Sequence, residues 1–449
     1  MRKKSKIAKM PVVNSNAAGI DVGGKSHFVA IGQDKEDVRE FGAYTEDLHE
    51  LAKWLLSMGI VTVAMESTGP YWQQLFTILQ EYGLNVILVN GRFTKNVTGQ
   101  KTDIKDCQWI QKLHSIGLLQ GSFLPDNDVE TLRIYARHRR TLIRNSADYI
   151  NRMQKSLVLM NIRLNSVIRD VIGMSGRAII EAVINGERDA KKLAGLANWR
   201  VKKSKKEIAK ALTGNWRDEY VFELKQSYEI YMNFQDRIAE TDEKMEELLI
   251  KQIKNIDFEI TKSNKPVKKQ VNKNDIKFEL EKFAIKMTGG IDLMAIPAVG
   301  RNVLLVLMSE VGFDLSKFRT AKNFTAWLSL SPNNKISGGK ILSSRTFKRK
   351  NRLSEALQRS ANVIGNMKDN PLSEFFHRIA YRHGRMHAIT ATARKLAVII
   401  WNMLTKKEQF SYISNDDYKE QIRQHKVRKA QKLIKSAGIS LNELKFVTV

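Results

Sequence analysis

The feature that most constrains this chain is a change of hydrophobic period near residue 130. Over residues 15–125 short, β-branched apolar runs alternate with segments of helical spacing. Ala17–Gly32 reads as strand, Gly23-Gly24 turn and second strand, and Ile60–Met65 and Asn85–Val89 as two further buried strands. Between them, Leu48–Met58 and Tyr71–Tyr82 carry helical periods, and Gly83 stops the second. Strands alternating with helices predict an α/β sheet. From Leu132 to Phe283 the strand signal is gone. Long helical stretches such as Arg139–Ile168 and Asp218–Ile250 predict a helical arm, in part a coiled coil, too sparse in aromatics for a compact core of its own. Two basic stretches, Arg200–Lys210 and Thr261–Asp275, interrupt it, and the second reads as a linker. A mainly helical globular region then runs from about Gly289 to Thr405. The expected divisions are 15–130, an arm at 131–285 with its linker at 261–275, a C-terminal domain at 286–405, and a basic tail at 406–449.

Charge narrows the partner. The 449 residues hold 75 Lys and Arg against 47 Asp and Glu, a net +28, while 43% hydrophobic residues exclude wholesale disorder. Such a surplus predicts a polyanionic partner, nucleic acid before membrane. No apolar run approaches the ~20 residues of a bilayer span. The basic first residues lack the apolar segment of a secretory signal, so a cytoplasmic protein is expected, nucleoid-associated when bound to DNA. The single cysteine, Cys107, excludes a disulfide scaffold and a cysteine zinc site. His27, His114 and His138 lack metal-ligand spacing and read as structural or surface residues.

The cations are not spread evenly. Arg133, Arg137, Arg140 and Arg144 form one helical stripe, with no acid from Thr131 to Ser146 to neutralise it. Lys340, Arg345, Lys348, Arg349, Lys350 and Arg352 form a second cluster around Phe347. Both suit contacts to phosphates, which supply affinity rather than sequence reading. Met294–Gly300 ahead of a helix fits either a backbone grip or a plain connector.

The informative charges are negative. Asp21 ends the first strand in Gly-Ile-Asp-Val-Gly, and Glu66 ends the apolar strand before Ser-Thr-Gly-Pro. Asp103 and Asp106 lie three apart where a helix begins, which puts both on one helix face. Each has a plain reading: strand-end Asp caps turns, and acids complement a helix N-terminus. Together at one sheet edge they would repel unless they bound divalent cations. Mg²⁺ takes oxygen ligands and leaves room for phosphate, and a paired-metal site serves phosphodiester displacement.

These residues resemble the DEDD transposases of bacterial insertion sequences, RuvC-like recombinases that include the Piv-type DNA invertases. The resemblance rests on Gly19–Gly23, on Met65-Glu66-Ser67-Thr68-Gly69-Pro70-Tyr71-Trp72, and on Gly99-x-Lys101-Thr102-Asp103-x-x-Asp106. It continues more weakly through Ile184–Asp189 and Leu193–Lys206, and ends in Ile296–Gly300, Phe318–Phe324 and Ser337-Gly338-Gly339-Lys340, covering about residues 17–405. It implies an RNase H/RuvC-like mixed sheet whose carboxylates Asp21, Glu66, Asp103 and Asp106 hold Mg²⁺ or Mn²⁺. It implies a nucleophilic serine at Ser337, double-stranded DNA as substrate, a structured guide (bridge) RNA, and no ATP. Exchange of two duplexes implies a homo-oligomer, a dimer or tetramer. The sequence departs from the pattern at Cys107, where a small residue such as Ala is usual, and at Gly91, where Pro is common. Neither departure is expected to touch a catalytic role.

Read from its residues alone, Ser337 lies in a turn-rich loop, where a serine commonly bonds its own backbone. Its hydroxyl needs a base or metal to become a nucleophile, and no His or Asp lies close in sequence. Ser343 and Ser344 rank below it. The rivals to a recombinase are a metal-dependent nuclease using water, an actin-like ATPase and a nucleic-acid packaging protein. The ATPase would need a second glycine-rich phosphate loop, and none is evident.

Overall fold

The alternating N-terminal pattern folds into a five-stranded mixed sheet. The computed structural model describes residues 10–91, 102–258, 273–347, 351–411 and 415–436. The chain divides into two compact units, Met1–Leu124 and Pro125–Val449.

In the first unit, β1 (Ala17–Val22), β2 (Ser26–Ala30), β3 (Val38–Gly42), β4 (Thr62–Glu66) and β5 (Asn85–Val89) take the order β3-β2-β1-β4-β5. β2 and β3 run antiparallel to their neighbours, and β4 and β5 run parallel to β1. Helices α1 (Thr45–Ser57) and α2 (Trp72–Glu81) supply the parallel crossovers. They bury Leu51, Leu55, Leu75 and Leu79 against Ile20, Val22, Val63 and Met65. The sequence reading had no β3. That strand buries only Phe41, exposing Arg39 and Glu40, so its alternation is too faint to stand out. Arg39 lies over the Phe41 ring and pairs with Glu50 of α1, which shields this edge.

The other face of β1 takes α3 (Asp103–Ser115) at unusually close range. A Cβ on Gly19 would stand 2.2 Å from the Gln111 amide nitrogen and 2.6 Å from the Cys107 carbonyl oxygen. The first glycine of Gly-Ile-Asp-Val-Gly is therefore a packing requirement of the helix on the strand. Gln111 is buried there, its amide donating to the Ala17 and Ile31 carbonyls at 3.2 and 3.3 Å.

In the second unit two long helices, α4 (Asn127–Leu159) and α9 (Asp218–Ile253), lie against each other. α4 alone is about 50 Å long. Between them in sequence come α5 (Leu164–Val167), α6 (Met174–Ile184), α7 (Ala190–Gly195) and α8 (Lys205–Ala211). The arm does have a compact core, contrary to the reading from its sparse aromatics. Met153, Leu157, Ile179, Ile180, Leu193, Leu212, Leu224 and Tyr228 cluster there, with Tyr149, Trp216 and Tyr220 against them. The short helices carry too few apolar residues to show a period, yet tertiary packing pools them. Arg200–Lys210 is correspondingly part of this fold. Ser204 and Glu207 form a capping box that starts α8, and these hydrogen bonds with Lys203 hold the Glu207 carboxyl down to about 2. Of the linker at 261–275, residues 261–272 lie outside the described residues.

The remainder comprises α10 (Leu280–Thr288), α11 (Arg301–Glu310), α12 (Ala321–Trp327), a hairpin of β6 (Lys335–Ser337) and β7 (Lys340–Ser343), α13 (Arg352–Ile364), α14 (Pro371–His383), α15 (Arg385–Lys406) and α16 (Asn415–Ser436). Phe318 meets Phe324 edge to face, Trp327 stacks nearly parallel to Phe324, and the Trp401 indole N–H donates to the Phe318 carbonyl at 3.2 Å. The Ile296–Gly300 turn is a packed connector: Ile296 and Val299 are buried, and Ser360 donates to the Ala298 carbonyl at 2.8 Å. Among the described residues no helix is long and apolar enough to cross a membrane.

Candidate active site

Register assembles the first part of the site. β1 and β4 run parallel with Ile20 opposite Met65, so the next residues along, Asp21 and Glu66, stand side by side at the carboxyl ends of adjacent strands. Both are half-buried. Alternation puts Asp21 on the face of Gly19, the face that α3 covers. The first turn of α3 carries Asp103, exposed, and Asp106, half-buried, with Thr102 capping the helix. The fold thus brings three elements bearing the four carboxylates to one edge of the sheet. Their donors are all oxygen, as a hard divalent cation requires. Among the described residues no three His, Cys, Asp or Glu side chains converge closely enough to hold an ion as they stand, so binding requires side-chain rotation from these positions. Gly99 to Lys101 lie outside the described residues.

The two departures from the family pattern, Cys107 and Gly91, lie close to these carboxylates. Cys107 is buried, and its thiol donates to the Ile104 carbonyl at 3.1 Å. Burial, reinforced by the charges of Asp21 and Asp106, pushes the thiol up to about 12. Cys107 is therefore a neutral, apolar spacer between strand and helix, in the role a small alanine would fill. Gly91, just past β5, sits under the Glu66 carboxylate: a Cβ there would meet Oε1 at 2.0 Å. The histidines are structural as expected. His114 is buried on α3, its Nε2 2.9 Å from the Thr62 hydroxyl, and burial lowers both His114 and His27.

Ser337 belongs to the second unit. It is the last residue of β6, in a two-residue hairpin whose Gly338 and Gly339 have φ of 54° and 76°, and it pairs with Lys340 across the turn. The turn-rich segment is thus a short hairpin and not a plain loop. Its hydroxyl is exposed and makes no side-chain hydrogen bond among the described residues, so the self-bonded loop serine is not what the structure contains. The opposite pair Ile336 and Ile341 is exposed on the other face. Arg345 is exposed two residues past β7; Lys348, Arg349 and Lys350 lie outside the described residues.

The arginine stripe of α4 is in place, but its lack of neutralising acid holds only within residues 131–146. Arg137 makes a two-pronged bond to Glu310 of α11 at 3.0 and 2.7 Å. Arg133, half-buried, reaches the Ser309 and Glu310 carbonyls and the Glu310 carboxylate. Arg140 pairs with Glu355 of α13 at 3.3 Å, and Arg352 approaches Glu310 at 3.6 Å. Arg133 is thereby held inside the protein rather than offered as a backbone grip. Arg144 alone of the four is exposed with no ion pair among the described residues. Glu310 and Glu355 lie more than 170 residues away along the chain, so no local signal could have found them.

Comparison with protein families agrees with this arrangement at both ends. A DEDD transposase model of the IS110 type matches residues 18–162, spanning β1 to the end of α4. A model described as the transposase IS116/IS110/IS902 family matches residues 292–377, which include the Ser337 hairpin. No single curated protein matches the chain significantly. The RNase H-like sheet, the helical region after it and the two family matches in order establish that the chain belongs to the IS110-type DEDD transposases, enzymes that cut and rejoin DNA and whose membership implies dependence on a divalent metal.

Proposed function

We propose that Asp21, Glu66, Asp103 and Asp106 form the metal-binding half of the transposase site and that Ser337 is its nucleophile. The observation that carries the first part is the β1–β4 register, which sets Asp21 beside Glu66 under the helix bearing Asp103 and Asp106. When bound, Mg²⁺ or Mn²⁺ supplies charge stabilisation at the phosphorane and lowers the cost of deprotonating a hydroxyl. The four carboxylates orient that charge, and the half-burial of Asp21, Glu66 and Asp106 strengthens it relative to water. Ser337, exposed at a tight turn beside Lys340, is free to approach a backbone phosphate. Its oxygen forms a bond to phosphorus as the bond from phosphorus to one DNA oxygen breaks, and the serine proton leaves to water or to the departing hydroxyl. A second DNA hydroxyl then displaces serine, so the number of phosphodiester bonds is conserved and no ATP is required.

The cations Lys340, Arg345, Lys348, Arg349, Lys350 and Arg352, with Arg137, Arg140 and Arg144 of the α4 stripe, hold the polyanion. A structured guide RNA fits a basic protein without an evident DNA-reading motif, and the arm at 131–285 is the assembly surface for a dimer or tetramer. A Piv-type invertase would use the same residues.

The test is adduct formation. Purified protein, RNA transcribed from the flanks of its gene and DNA carrying the element ends are incubated with Mg²⁺ and resolved under denaturing conditions. The expected result is a protein–DNA adduct that disappears in Ser337→Ala and with EDTA. Undiminished strand cleavage by Ser337→Ala would show instead a RuvC-like nuclease that uses water.

A further inference from the structure

Three helix faces of the second unit meet at a cleft of about 770 Å³. α4 contributes Arg137, Arg140 and Arg144; α13 contributes Arg352 and Arg359; and α11 contributes Arg301. On α4 and α13 the positions repeat at helical spacing, so each of these two helices presents its arginines on one face.

The acids in the cleft do not balance these cations. Glu310, nearly buried, faces three guanidiniums within 4 Å, those of Arg133, Arg137 and Arg352. Arg301 is tied to Glu281 at 2.6 and 3.0 Å, and Arg140 to Glu355. Arg144 and Arg359 are exposed and make no ion pair or side-chain hydrogen bond among the described residues. One carboxylate is thus shared among three arginines, two of which, Arg137 and Arg352, line the opening. Burial first, and then the charge of Arg137, lower the Arg352 guanidinium. A volume of this size is ordinary for a ligand site, but its walls are guanidiniums, whose planar forks match phosphate oxygens.

We propose that this cleft is a phosphodiester-binding site of the second unit, with Arg144 and Arg359 as its direct contacts and Glu310 as the residue that positions Arg137 and Arg352 beside them. The proposal deepens the nucleic-acid half of the function above and is independent of Ser337 and the carboxylates. The same chemistry could be presented by DNA or by RNA.

Affinity is measured in EDTA, without cleavage, for duplex DNA carrying the element ends and separately for the flank-derived RNA, across a salt series. Arg144→Ala/Arg359→Ala is compared with the native chain and with Lys191→Ala/Lys225→Ala, which removes equal charge from exposed positions outside the cleft. The expected result is a loss of about tenfold or more in affinity. The slope of log K against log salt should also become shallower by roughly 1.4–1.8, two phosphate contacts. A change confined to DNA, or to RNA, identifies the source. Unchanged slopes on both probes, or an equal change in the lysine pair, would overturn the proposal. Failure of the adduct test with this result intact would remove the serine mechanism and leave the cleft standing.

Discussion

The two units gather charge by opposite means. In the first, acids come together because β1 and β4 are adjacent parallel strands and α3 sits on the β1 backbone; a few local rules of register place Asp21, Glu66, Asp103 and Asp106. In the second, arginines come together because α4, α11 and α13 pack, and each guanidinium network is completed by an acid from a remote helix. The first arrangement gathers anions at the carboxyl edge of the sheet, where a cation is useful. The second neutralises part of its charge internally and leaves a remainder for phosphate. What this teaches is that a run of like charge in sequence is weak grounds for an exposed patch, whereas a charge at a strand end is placed by the sheet itself.

The sharpest way to break the comparison is at the acidic edge. Asp21→Asn or Glu66→Gln should lower strand cleavage by about 10³-fold or more, the effect of losing several kcal/mol of transition-state stabilisation. Thermal denaturation should be nearly unchanged, since both side chains are half-buried at strand ends. Cleavage near the native rate would remove that edge from catalysis.

Next in size is the buried pair that fastens α4 to α9. Arg139 and Asp242 are both buried; Arg139 donates to Asp242 at 2.5 and 3.2 Å and to the Asn274 carbonyl at 3.0 Å. Asp242→Ala leaves an uncompensated guanidinium and should cost roughly 3–5 kcal/mol in urea denaturation. A loss below about 1 kcal/mol would mean that water reaches the arginine.

Gly19→Ala should have a smaller effect on stability, about 1–3 kcal/mol. The added Cβ meets backbone atoms of α3, which have no rotamer to escape into. Displacement of α3 moves Asp103 and Asp106, so cleavage should fall further than stability; parallel losses would argue against that positioning role.

Titration supplies the mildest tests. Cys107, pushed up to about 12 from an ordinary value near 9, is kept as a thiol by the fold. Its contribution is complete below pH 9 and declines above it, where the unfolded chain ionises first. Native protein at pH 8 should react with a thiol reagent only on unfolding. His27 and His114 are lowered by burial, so below their ordinary value of 6.5 the unfolded chain takes up protons that the fold refuses. Stability should therefore slip as pH falls through that region, and His114→Gln should flatten part of the slope.

Much of the first unit was legible in advance because its signals are local. β5 spans the same residues as the apolar run Asn85–Val89, and α3 begins at the Asp103 that follows its capping Thr102. The faint strand β3 was missed because one buried residue in five makes no pattern. Less of the second unit was legible. Its long helices declared themselves by period, but the core at their end draws a few residues from each of six helices, and no short window along the chain contains it.

The sequence by itself determined the alternation of strand and helix, the strand-end acids and the basic surplus, because side-chain period and turn chemistry act over a few residues. Tertiary structure alone decided that Gly19 is a seat for α3, that Cys107 and Gly91 border the carboxylates, and that Glu310 organises three arginines. Those contacts join segments far apart in the chain. Their geometry depends on how whole elements pack, where a fraction of an ångström between backbone atoms separates a fit from a clash.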